Sequence, residues 1–193
     1  MARPARFTEN QLLDAAVRLA ATHGPAGVTM SAVAKETGAP SGSVYHRFPH
    51  RAALLAEVWL RTMERFQDGY LAALATGEGP LDAGRRAARH VVAWSRAHPA
   101  EAALLLHGPG EFGRGEWSDE HVRRADLGTE RVRAAVAAVA AALGADSPCD
   151  AERVGLALID LPLSVVRRHL RPGAALPDHA EDLAVRCAEA LLF

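Results

Sequence analysis

The chain has 193 residues, 49% of them apolar and 5% aromatic, with a formal net charge of −1. That length accommodates a small domain of about 50 residues and one larger core, and the dominance of alanine and leucine over aromatic types favours helices over sheets. The near-zero charge excludes a protein that coats nucleic acid by bulk positive charge; no apolar run nears the roughly 18 residues that cross a bilayer and the N-terminal residues show no apolar signal-peptide core, so no membrane partner and a cytoplasmic location are expected.

The first helix is expected over residues 8–24, where Leu12, Leu13, Ala16, Val17 and Ala20 recur at helical spacing and Thr8 with Gln11 forms a capping-box pattern. The stretch from Thr29 to Leu55, TMSAVAKETGAPSGSVYHRFPHRAALL, then has the spacing of a helix-turn-helix. Thr29 caps a short helix whose inner face is Val33 and Ala34 and which ends at Lys35, Glu36 and Thr37. Gly38 stops it by taking positive φ at little cost, and Pro40 starts the next helix where a missing amide proton does no harm. That helix, Ser41 to Arg47, turns Val44 and Phe48 inward at i and i+4 and leaves Ser41, Gly42, Ser43, Tyr45, His46 and Arg47 outside.

Such an outer face suits the major groove of DNA. Hydroxyls reach phosphates and base edges, the phenol reaches a phosphate, and a glycine lets the backbone approach the sugar-phosphate chain. Arg51 opens the following helix beside free amide protons that also favour an anion. Residues 1–51 carry +3 and the remainder −4, so positive charge concentrates at this end. The excess is modest, which favours a dimer that sums two footprints.

Further along, residues 50–75 carry Leu55, Trp59, Met63, Phe66, Tyr70 and Leu74 at spacings of three and four, predicting a rod of roughly 37 Å at the helical rise per residue. A break at Thr76–Pro80 precedes helices over 81–97 and 99–107, and a loop covers Gly108–Ser118. The last helices are expected over 119–144, 150–170 and 177–192, separated by Ser147-Pro148 and Arg171-Pro172-Gly173, with Pro162 kinking the middle one. The alanine run from Ala134 to Ala142 is a strong helix former.

Thr29, Gly38, Ser43, Tyr45, Phe48, Arg51 and Leu54 together resemble the DNA-binding domain of the TetR/AcrR family of transcriptional regulators, over the segment that ends near Leu55. Departures are Ser31 where many members carry arginine, His50 and Ala52 in place of a small polar and an acidic residue, and Arg51 where lysine is common. The resemblance implies an all-α fold: a three-helix helix-turn-helix domain over residues 1–50, then a helical effector-binding and dimerisation domain over 51–193. It implies a ligand-responsive DNA-binding regulator, of repressor type, on a palindromic operator. The expected partners are double-stranded DNA, a small-molecule effector and a second copy of the chain; no cofactor, metal or catalytic residue is expected. Thr29, Ser31, Ser41, Gly42, Ser43, Tyr45, His46 and Arg51 are the candidate DNA-binding residues. By resemblance, Trp94, Leu105, His107, Phe112 and Trp117 are candidate effector residues, and Leu156, Ile159, Leu163, Val166, Leu183, Cys187 and Leu191 are candidate dimer-face residues. An intramolecular core accounts for the dimer-face group and for the apolar effector candidates as well, and a solvated helix end accounts for His107.

Two other classes compete. An enzyme would draw on Gly108-Pro109-Gly110-Glu111-Phe112-Gly113, which has dinucleotide-loop spacing but follows a leucine-rich helical pattern instead of a strand. The histidines show no i, i+4 zinc pair, although His107 and His121 stand on either side of the loop, and Cys149 and Cys187 lack metal or redox spacing. The other competitor is a helical protein-binding module without DNA contact, for which the polar face around Tyr45 is a poor anchor.

Overall fold

The computed structural model describes residues 7–170 and 175–192, so the basic residues Arg3 and Arg6 and the predicted break at Arg171–Gly173 lie outside the described residues. Among the described residues there is no strand. The chain packs as two compact units: one runs to Met63 and takes in Ala100–Ala125, and the other comprises Glu64–Pro99 and the chain from Asp126 onward.

In the first unit, helix α1 (Glu9–His23) starts on the predicted capping box: Thr8 Oγ1 accepts from Gln11 N at 3.3 Å and Gln11 Oε1 accepts from Thr8 N at 2.8 Å. Its periodic stripe, Leu12, Leu13, Ala16, Val17 and Ala20, is buried. Thr29 caps α2 (Met30–Thr37) through Ala32 N. Gly38 follows at φ 67°, ψ 17°, with its N–H bonded to Lys35 O and the Ala39 N–H to Ala34 O. This is a Schellman ending, in which a left-handed residue lets two amides reach back to the last turn. Gly38→Ala is therefore expected to lower stability by about 1 kcal/mol, because a Cβ in the left-handed region crowds the following carbonyl; urea denaturation reads the loss, and no loss would mean that the turn relaxes.

Helix α3 (Ser41–Arg47) has the predicted span, but Pro40 is extended at φ −60°, ψ 138° and stands just before the helix instead of inside it. Helices α4 (Arg51–Ala75) and α6 (Pro99–Leu105) come next in this unit, followed by the start of α7 (Asp119–Ala142). Its core joins Leu12, Val33, Val44, Phe48, Leu54, Val58 and Trp59 to Leu104, Phe112 and Trp117. The rings of Trp59 and Trp117 lie 5.6 Å apart, and the Trp117 indole donates to Phe112 O at 2.9 Å. The predicted loop is thus held from within by its two aromatic residues.

The second unit contains the rest of α4 and α7, together with α5 (Pro80–Ala97), α8 (Pro148–Gly155), α9 (Leu161–His169) and α10 (Ala180–Leu192). Helices α5 and α10 meet through small residues, with Ala87, Ala88, Ala184 and Ala188 fully buried. Ion pairs flank the contact, Arg85 to Glu189 at 2.5 Å and Arg96 to Glu181. The last helix starts at Ala180, three residues later than predicted.

The predicted kink at Pro162 takes the form of a π-helical turn, Leu156–Asp160, between α8 and α9. A proline at 162 has no N–H to offer the carbonyl four residues back, at Leu158. Tyr70 on α4 supplies the missing donor: its hydroxyl bonds to Leu158 O at 3.0 Å. Burial pushes the Tyr70 hydroxyl well above its ordinary pKa, so it stays a donor. Nearby, His90 is shifted down by burial, against a bond to Phe66 O, and its ring stands 5.5 Å from Phe66.

Candidate nucleic-acid interface

The recognition segment is built from the inside out. Val44, fully buried, and Phe48, 2% exposed, pin α3 to the core of the first unit. Their spacing leaves Ser41, Gly42, Tyr45 and His46 exposed and Ser43 half-buried. Tyr45 is 55% exposed, an unusual position for a ring that size, and it belongs to a face of small polar groups. Arg47 turns back along its helix, its Nη1 3.5 Å from Ser43 O, and is half-buried. On α2 the exposed Ser31 hydroxyl lies 3.2 Å from that of Thr29, so one hydroxyl of the pair is engaged in capping and the other leans on it.

Arg51 departs from the sequence expectation. Its Nε donates to Val28 O at 2.7 Å and its Nη2 to Pro25 O at 2.8 Å. The guanidinium thus clamps the start of α4 to the short turn Pro25–Gly27, which leaves Nη1 as the nitrogen not used in the clamp. The fork reaches two carbonyls at once because it is planar, which a lysine ammonium cannot copy. His50 also acts locally, since its Nδ1 accepts from Ala53 N at 3.2 Å and the imidazole caps α4 where a small polar residue is usual.

The candidate effector residues are divided between the two units. Phe112 and Trp117 are core of the first unit, at 0% and 7% exposure. Leu105 packs partly buried against that core, and His107 pairs with Glu111 at 2.7 Å. Trp94 belongs to the second unit, with its ring 5.2 Å from Phe66 and 5.0 Å from His98. A cavity of about 420 Å³ in the second unit is lined instead by residues that sequence reasoning passed over, among them Gln67, Val132, Val136, Ala140 and Gly155, with Ile159 from the candidate dimer face. A polar Gln67 between Met63 and Tyr70 on a buried stripe was the signal available.

Of the candidate dimer residues, Val166 is 1% exposed within the chain's own core and is corrected to an intramolecular role. Leu156 is 45% exposed, and Ile159, Leu163, Leu183, Cys187 and Leu191 are half-buried. Cys149 is exposed near the start of α8.

For the enzymatic alternative, Gly108–Gly113 folds into successive tight turns that bury Phe112, and no strand among the described residues precedes it. His121 stands between Ser118 Oγ at 2.8 Å and Glu57 Oε1 at 3.1 Å, while Ser118 also caps the first turn of α7 through His121 N. Among the described residues no group of three or more His, Cys, Asp or Glu is placed to hold a metal ion. No described helix is long and apolar enough to cross a membrane.

Residues 12–58 match the sequence profile of bacterial regulatory proteins of the tetR family. No match is found among curated proteins. The fold is similar to that of the TetR family regulator PfmR from Thermus thermophilus, with TM-score 0.71, 18% identity and 97% of each chain covered. It is similar to the ketosteroid transcriptional regulator KstR2 of Mycobacterium tuberculosis, with TM-score 0.73 and 18% identity over 98% of this chain and 97% of that one. FadR from Bacillus subtilis, solved in complex with stearoyl-CoA, matches with TM-score 0.70 and 13% identity over 96% and 98%. Residues 12–58 thus carry the sequence pattern of the tetR family's DNA-binding segment, and the fold along nearly the whole length is similar to that of solved TetR family regulators.

Proposed function

We propose that the chain is a ligand-responsive transcriptional repressor that binds a palindromic operator as a homodimer in the cytoplasm. The observation that carries this reading is the outer face of α3, where Ser41, Gly42, Tyr45 and His46 stand exposed on a helix pinned by Val44. Residues 1–50 do the reading. Tyr45, Thr29 and the free edge of Arg51 meet phosphates, while Ser43 and His46 meet base edges and Ser31, Ser41 and Gly42 line the approach. Residues 51–193 bind the effector and dimerise, through the partly exposed Leu156, Ile159, Leu163, Leu183, Cys187 and Leu191. A twofold dimer sets its two α3 helices about one DNA turn, or a multiple, apart and so reads an inverted repeat.

The effector site is the 420 Å³ cavity, and α4 is the element that feels its occupant, since the helix carries Gln67 on the lining and Arg51 at its start. The FadR neighbour, which holds stearoyl-CoA, supports a ligand-binding role for such a helical unit. An effector that prefers the state unfit for the operator, with a coupling of about 1–3 kcal/mol, weakens operator binding roughly 5- to 150-fold.

Selection of bound duplexes from a random DNA pool, at one stated moderate salt concentration, tests the reading. An enriched inverted repeat is expected, and no enrichment from a folded dimeric sample would overturn it in favour of a protein-binding module. On the selected duplex, Tyr45→Phe is expected to weaken binding to all sequences alike, whereas Ser43→Ala or His46→Ala alters which base is preferred.

A further inference from the structure

Two glycines sit where the backbone does not call for them. Gly128 lies inside α7, and Gly155 runs helically into the π turn at φ −57°, ψ −48°; neither takes positive φ. Glycine within a helix is destabilising relative to alanine, so its use there asks for a reason. At Gly128 a Cβ would collide with Gln67 Oε1, so the missing side chain makes room for the Gln67 carboxamide. At Gly155 a Cβ would meet nothing within 4 Å, and its absence enlarges the cavity that both Gly155 and Gln67 line.

Gln67 itself is 9% exposed, and it is the buried polar residue on the cavity wall. An amide set in an apolar wall gives a molecule in the cavity one place to hydrogen-bond. The rest of the lining is largely apolar: Val132, Val136, Ala140 and Ile159. Arg133 is the charged lining residue, and it is exposed and paired with Glu130 at 2.7 Å. A carboxylate or phosphate pushed into this cavity would lose water against an apolar wall, with the Arg133 guanidinium largely out in solvent.

We propose that the cavity binds a neutral, mostly apolar molecule carrying one carbonyl or hydroxyl group, which the Gln67 carboxamide hydrogen-bonds. An amide both donates and accepts, so either group is served. The volume falls within the usual range for small-molecule sites. This inference rests on the effector-binding reading above and adds the chemical class of the effector.

The probes are octanol and octanoate, which share a chain and differ in charge at neutral pH, titrated calorimetrically into the full-length protein. Octanol is expected to bind at least about 10-fold more tightly than octanoate. Gln67→Leu, which keeps the volume, should remove most of that octanol affinity. Gly155→Leu, which fills open space on a helix that tolerates any residue, should abolish octanol binding while leaving the thermal midpoint of the free protein unchanged or raised. Octanoate binding as tightly as octanol, or octanol binding unaltered by Gly155→Leu, would overturn the proposal. So would loss of dimerisation in Gly155→Leu with no octanol binding to the parent, since the cavity would then be covered by a second copy. Octanol binding that follows these variants yet leaves operator affinity unchanged supports the site and sinks the ligand-responsive reading. Intact operator binding with no octanol binding sinks the site alone.

Discussion

Tyr70→Phe is expected to destabilise the protein by about 2 kcal/mol, a large effect for one oxygen atom, because it strands a buried carbonyl. Leu158 O faces the gap that Pro162 leaves in the helical ladder, and the Tyr70 hydroxyl at 3.0 Å is the donor that fills it. Tyr70 is 2% exposed and Leu158 fully buried, so water is a poor substitute. Pro162→Ala should help more in the Tyr70→Phe background than in the parent, since an alanine amide at 162 is the one a regular helix directs at Leu158 O. Urea denaturation of the four proteins gives that coupling as a double-mutant cycle. A cycle with no coupling would mean that the hydroxyl and the proline act independently.

Arg51→Ala carries the second large effect. Two charge-assisted hydrogen bonds to Pro25 O and Val28 O disappear, at a cost of about 2 kcal/mol given the partial exposure of the side chain. DNA affinity should fall as well and its salt dependence flatten, because the same side chain adds positive charge at the start of α4. Arg51→Lys separates the two roles. The charge survives for a phosphate while the double clamp is lost, so the lysine variant should be destabilised almost as much as the alanine variant yet hold DNA better. If Arg51→Lys keeps full stability, the clamp contributes nothing measurable.

Much of the fold could be read from the sequence because its signals are local. The Thr8–Gln11 capping box, the Thr29 cap, the Gly38 ending and the span Ser41–Arg47 each depend on a few neighbouring residues, and each stands where expected. Phe112 and Trp117 were harder, since an aromatic residue in a glycine-rich loop looks the same whether it lines a pocket or plugs a core. Only the position of Trp59, 58 residues earlier in the chain, distinguishes the two. Val166 failed for a related reason: helical spacing identifies an apolar face but not the partner that covers it.

Arg51 shows a different limit. Its type and position suit a phosphate contact, and nothing in the local pattern reveals that carbonyls 23 and 26 residues upstream bond to it first. The cavity was the least visible feature, because a cavity is defined by what is missing. Gln67, Gly128 and Gly155 each break a helical pattern mildly, and only their convergence in space gives those irregularities a common explanation.

The inclusion of Ala100–Ala125 in the first unit bears on how the molecule is made. A nascent chain that has just released α3 from the ribosome already holds Leu12, Val33 and Val44, yet it lacks Leu104, Phe112 and Trp117, which complete the same core. The first unit therefore matures late in synthesis, after more than half of the polypeptide has emerged. Between those two moments the core around Val58 and Trp59 is incomplete, so the growing chain is open to chaperones and proteases. The order of segments along the gene thus delays completion of the first unit until residue 125 has been made.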